Sequence, residues 1–147
     1  MNLQWKGHEE IAAPKERVWA FINDPASIAN CVPDLVEANV IDAHHVDATV
    51  KVGVGPVRGN FKLKIELEPQ ADGSRMNLKI GGGGFGSVVD LVAGADIKAG
   101  ATGTELDWEG SATMRGPIAS IAGRVIDAQA QRVITTTFAN VKARCSS

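Results

Sequence analysis

The sequence predicts an α+β fold: a curved antiparallel sheet of about seven strands around one long C-terminal helix, with two short helices after the first strand. Three observations carry that expectation. From Val46 to Met114, apolar residues recur at every second position over several segments. From Gly116 onward a helical pattern runs without apparent interruption for roughly 25 residues. Between the first strand-like segment and the alternating region lie two short helical pieces.

Residues 3–11 alternate and read as the first strand. Ala13 to Ile22 reads as a helix with Pro14 near its first turn and Val18, Phe21 and Ile22 as its apolar stripe. Asn23-Asp24-Pro25 stops it. A shorter helical piece runs from Pro25 to about Asn30, and Cys31-Val32-Pro33 turns the chain. The period then changes to two. Val46, Ala48, Val50, Val52 and Val54 alternate with Asp47, Thr49, Lys51 and Gly53. Phe61, Leu63, Ile65 and Leu67 alternate with lysines and glutamates, and Met76, Leu78 and Ile80 with Asn77 and Lys79. Leu106, Trp108, Ala112 and Met114 repeat the theme, and Val88 to Ala99 is a less regular strand. This is the pattern of antiparallel strands with one wet and one buried face. Gly55-Pro56, Ala71 to Ser74 and Ala101 to Gly103 supply turns. A sheet with one apolar face and one long helix to cover it curls around that helix.

In the C-terminal segment Pro117 suits a first helical turn, where its missing N–H is no loss. With Ile118 at 0° and 100° per residue, Ile121, Ala122, Val125, Ile126 and Val133 share one broad face. Arg124, Asp127, Gln131 and Lys142 lie opposite. Gln129 falls near the middle of the apolar face, where a lone amide would orient a ligand in an enclosed apolar space.

The 147 residues suit a single domain, 1–147. A chain of this size buries ~68–70% of its unfolded surface, so it needs no staples. The net charge of −2 and an aromatic content of 5% argue against nucleic acid as a partner. Cys31 and Cys145 form no CxxC pair, Cys145 reads as exposed, and Cys31 as small apolar filler. The N-terminus reads as strand rather than as a leader peptide, so a cytoplasmic location is expected. No 18-residue apolar run is present, so no transmembrane segment is expected.

Gly81 to Gly86 contains a formal GxGxxG, but strand-like sequence follows it where a dinucleotide site needs a helix. A wide turn, a bulge or a bent strand is expected instead. His8, His44 and His45 lack metal-ligand spacing, and His44 and His45 sit near a predicted hairpin turn and read as solvated, so no metal is expected. No cofactor and no catalytic constellation can be assembled from the sequence.

The chain resembles the carbon monoxide dehydrogenase G-subunit family, within the START, Bet v 1 and polyketide-cyclase (SRPBCC) superfamily of helix-grip domains. The resemblance rests on Ile11 to Trp19, Asp24-Pro25, Asn30-Cys31-Val32-Pro33, Val52 to Pro56 followed by Phe61, and Gly116 to Ala119. Phe138 falls where the family helix often carries a late aromatic. Asp34 stands where the family commonly has glycine, and the variable tail of many members has no counterpart here. The resemblance implies a helix-grip fold and a non-enzymatic accessory protein of a molybdenum hydroxylase. It further implies a lipophilic quinone in the cavity and peripheral contact with the membrane.

The expected function is therefore binding of a hydrophobic small molecule, a quinone or other isoprenoid lipid. Expected cavity residues before the sheet are Phe21, Ile28, Cys31 and Val32. From the sheet come Val52, Val54, Phe61, Leu63, Leu78, Phe85 and Trp108, and from the C-terminal segment Ile121, Val125 and Gln129. Two alternatives stand beside this reading. A polyketide cyclase- or dehydrase-like enzyme would need an acid–base pair inside the cavity. A docking protein without a ligand would have a solid core.

Overall fold

The computed structural model describes residues 1–54, 57–121 and 123–146, and the side chains of Val54 and Val57 lie outside that description. The chain runs β1 (Asn2–Ile11), α1 (Lys15–Ile22), α2 (Pro25–Ala29), then six strands. These are β2 (Leu35–Asp42), β3 (His45–Val54), β4 (Val57–Pro69), β5 (Arg75–Gly84), β6 (Ser87–Ala99) and β7 (Thr104–Arg115). A 3₁₀ turn, Pro117–Ser120, and the long helix α3, Gly123–Cys145, complete it. All strands are antiparallel in one sheet of order β1-β7-β6-β5-β4-β3-β2.

The period-two segments became β3 to β7 with the expected inward registers. Val46, Val50, Phe61, Ile65 and Leu67 are buried, and the lysines and glutamates between them face water or lie half-buried. Fully burying an aliphatic side chain of this kind contributes about 1.5–3 kcal/mol. The strand β2 has no clean alternation, because its register against β3 shifts between Leu35 and Glu37 and again between Val40 and Asp42. Each shift breaks the two-residue period that makes a strand readable.

The glycine run lies in β5 and ends in a two-residue hairpin turn. Phe85 and Gly86 both have positive φ, 56° and 77°, as a type I′ turn requires. The next residues are β6, so the run is a strand and a turn rather than a phosphate loop.

The expected unbroken C-terminal helix is interrupted. After the 3₁₀ turn, Ile121 is extended (φ −77°, ψ 142°), and α3 starts afresh at Gly123. A wheel anchored on Ile118 is therefore out of phase with α3. Restarted at Ile126, the wheel puts Ala130, Val133, Thr137 and Val141 on the inner face and Val125 outside.

Candidate ligand-binding site

Among the described residues, the buried apolar side chains form two clusters rather than one. The lower cluster joins Ile11, Val18, Ile65, Leu67, Ile97, Leu106 and Val141 across α1, the sheet and the end of α3. The upper joins Val50, Phe61, Ala112, Met114, Ile118 and Ile126. Leu35 and Leu63 pack against both. At the height between them, inward positions carry small or half-buried residues. Trp5, Gly110, Ala93 and Leu78 stand in register across β1, β7, β6 and β5, with Trp108 and Ala95 in the next row. All are only half-buried, as are Leu63, Ile80 and Leu91 on the same face. The helix α3 comes close to β1, α1 and β3. It lies across the trough and touches the middle rows through Phe138, stacked on Trp108, and Asp127, bonded to Trp5.

The wall on the β1 side is polar. The indole Nε1 of Trp5 donates to Oδ1 of Asp127 on α3 at 2.7 Å. The indole Nε1 of Trp108 donates to Oε2 of Glu9 at 3.2 Å, and Lys142 of α3 pairs with Oε1 of Glu9 at 2.8 Å. The Trp108 ring stacks on Phe138 at 5.3 Å. It also lies across Gly7, where a Cβ would sit 2.6 Å from the indole carbons. Only glycine on β1 lets the indole lie flat there.

Of the expected cavity residues, Leu63, Leu78 and Trp108 are in the half-buried middle rows. Val52, Val32 and Ile121 are half-buried against the upper cluster, and Phe21 and Ile28 against the lower. Phe61 and Cys31 are buried inside the clusters. The side chain of Val54 lies outside the described residues. Phe85 and Val125 differ from expectation, being 51% and 43% exposed. The turn lifts Phe85 onto Phe61, ring centroids 5.9 Å apart, and the break before α3 rotates Val125 outward. Gln129 is half-buried on the flank of the inner face rather than at its middle. Sequence reasoning passed over Trp5, Glu9 and Asp127. The first two sit on the odd-numbered inward register of β1, where the signal was present, whereas Asp127 was hidden by the misphased wheel.

A sequence profile for the family described as the G subunit of carbon monoxide dehydrogenase (CoxG) matches residues 7–146. The chain belongs to the CoxG family. Solved structures share its fold. A conserved protein from Geobacillus kaustophilus is 22% identical with a TM-score of 0.87, over 98% of this chain and 95% of that one. A START superfamily protein from Mycobacterium smegmatis is 11% identical with a TM-score of 0.69, over 98% and 96%. Ara h 8.0201 is 10% identical with a TM-score of 0.69, over 99% and 98%. No curated relative matches the chain.

Asp34 stands where the resemblance leads to an expectation of glycine. Asp34 has φ 61°, the left-handed region that favours glycine. Its carboxylate accepts from Arg132 of α3 at 3.0 Å, a tie that glycine would lack. Cys145, expected at the surface, is 1% exposed in the lower cluster with Cys31. Burial pushes both thiols up, the opposite of an activated cysteine. His8 lies in β1. Its Nδ1 meets Asp107 at 2.7 Å, and its Nε2 lies 3.9 and 3.8 Å from Glu10 and Glu105. That bond to Asp107 raises its pKa. His45 is held likewise by Asp42 in the β2–β3 turn.

Proposed function

We propose that this CoxG-family protein is a non-enzymatic carrier of a hydrophobic small molecule, a quinone or another isoprenoid lipid. The ligand lies between the two core clusters, on the floor formed by Gly110, Ala93, Leu78 and Leu63. The observation that carries this reading is that apolar side chains facing α3 stay half-buried between two well-packed tiers. Apolar walls supply most of the affinity of such a site and a few polar groups its orientation. Family membership supports an accessory role beside a carbon monoxide dehydrogenase-type molybdenum hydroxylase. No described helix is long and apolar enough to cross a membrane. Membrane contact would be peripheral, at the end of the trough that carries Phe85 and Val125. Exposed Lys51, Arg58, Lys62 and Arg124 belong to that end, and none pairs with an acid among the described residues.

The charged pair Glu9–Lys142 would favour an enzyme only if it were free to move protons. Both carboxylate oxygens of Glu9 are already engaged, one by Lys142 and one by Trp108. Organic extraction of the purified protein and mass spectrometry of the extract test the carrier reading. A stoichiometric quinone or isoprenoid lipid is expected. Ala93→Phe fills the floor, so the folded variant should carry none, and equal ligand in the two proteins would refute this placement.

A further inference from the structure

The two halves of α3 are held very differently. Its second half is tied on both flanks. Arg132 reaches Asp34 at 3.0 Å, and Asn140 donates to the Cys31 carbonyl at 2.8 Å. Lys142 pairs with Glu9, Phe138 stacks on Trp108, and Val141 and Cys145 are buried. The first turns have far less. Gly123, Arg124 and Val125 are exposed, and a Cβ at Gly123 would meet nothing within 4 Å. Extended Ile121 uncouples them from the 3₁₀ turn. Burial of Ile126 and the Trp5–Asp127 hydrogen bond are the ties described there.

Trp5 stands in register with Gly110, Ala93 and Leu78. The group that fastens the start of α3 is therefore also a wall of the candidate site. We propose that the first two turns of α3 are a lid over the trough, latched by Trp5 and Asp127, and that this latch sets the rate of ligand exchange. This rests on the carrier reading above. Opening exchanges the indole–carboxylate bond for bonds to water and swings Ile126 from the upper cluster. The rest of α3 keeps its ties to β1, β7 and the segment before β2. Ligand would enter and leave past Ile126 as the first turns of α3 open locally, with the rest of the helix intact.

The test is stopped-flow release of menadione, read by recovery of tryptophan fluorescence. The proteins are wild type, Asp127→Ala, Asp127→Asn and Asp34→Ala. Release from Asp127→Ala should be roughly tenfold faster, since a hydrogen bond to a charged acceptor is lost. Asp127→Asn, which keeps an acceptor oxygen, should fall between the two. Asp34→Ala cuts a tie in the fixed half and should leave release unchanged. Amide hydrogen exchange should rise over residues 124–131 in Asp127→Ala and stay level over 132–145. Release from Asp127→Ala at the wild-type rate, or an equal acceleration in Asp34→Ala, overturns the lid while leaving the carrier intact. A wild type that takes up no menadione overturns the lid together with the carrier reading.

Discussion

Glu10 and Glu105 face each other directly across β1 and β7, an arrangement that repels unless a cation intervenes. The His8 imidazole stands beside both and is held there by Asp107, which Lys98 also approaches at 3.2 Å. The pKa of His8 is raised, first by its bond to Asp107, and that of Asp107 is lowered, first by the same bond. His45 and Asp42 show the same directions. A raised imidazole contributes stability that is complete below its unfolded value of about 6.5 and fades as pH rises through the folded value. A lowered carboxylate contributes stability above about 3.9 that fades as pH falls through its folded value. Both pairs are ionised between those values, so Tm measured against pH should peak there. The double variant His8→Gln, His45→Gln should have a flatter profile. All these groups are exposed, which keeps the effect small.

At the scale of elements, α3 shows how a correct assignment can carry a wrong phase. The sequence has a real helical period from Gly116, but nothing in that period announces the extended conformation of Ile121. Only the fit of Ile118 into the upper cluster, with its N–H donating to Ser87 Oγ at 3.0 Å, fixes the break. The misplacement of Val125, Asp127 and Gln129 follows from that one residue. The strand β2 was obscure for a related reason, since its two register shifts are decided by pairing with β3. By contrast β3, β4 and β5 were legible because runs of inward Val, Ala, Leu, Ile, Met and Phe alternate there with polar residues. Gly123 gives a prediction at this scale. It is the first residue of α3 and its flank is open. Gly123→Ala should therefore stabilise the protein by up to ~1 kcal/mol, read as a higher Tm, and it should slow exchange of the first turn of α3.

Across the whole molecule, one end of the trough combines exposed Phe85 and Val125 with Lys51, Arg58, Lys62 and Arg124. The N-terminal ammonium, bonded to the Met114 carbonyl, lies at this end too. The net charge of the chain is nonetheless −2, so the acids lie predominantly elsewhere. Sedimentation with anionic vesicles should detect binding that weakens as salt rises, because attraction between exposed charges is screened. The triple variant Arg58→Glu, Lys62→Glu, Phe85→Ser should stay in solution. Equal sedimentation with neutral vesicles would count against a charge-guided contact. Composition hinted at none of this, since the polarity arises only when the hairpin β3–β4, the turn at Phe85 and the start of α3 meet at one end.

The division of the core into two tiers has a consequence for how the empty protein melts. With Leu35 and Leu63 packing against both, the upper tier has few apolar ties through which to share the stability of the lower. Heating should loosen the upper tier, with Ile118, Ile126 and the first turns of α3, before the lower tier of Ile65, Leu106 and Val18 gives way. A guest molecule lodged between the tiers would touch both and make them melt as one. On the proposed carrier reading, occupancy then has a thermodynamic signature separate from affinity: a guest would bridge the two tiers, and the loaded protein should unfold cooperatively.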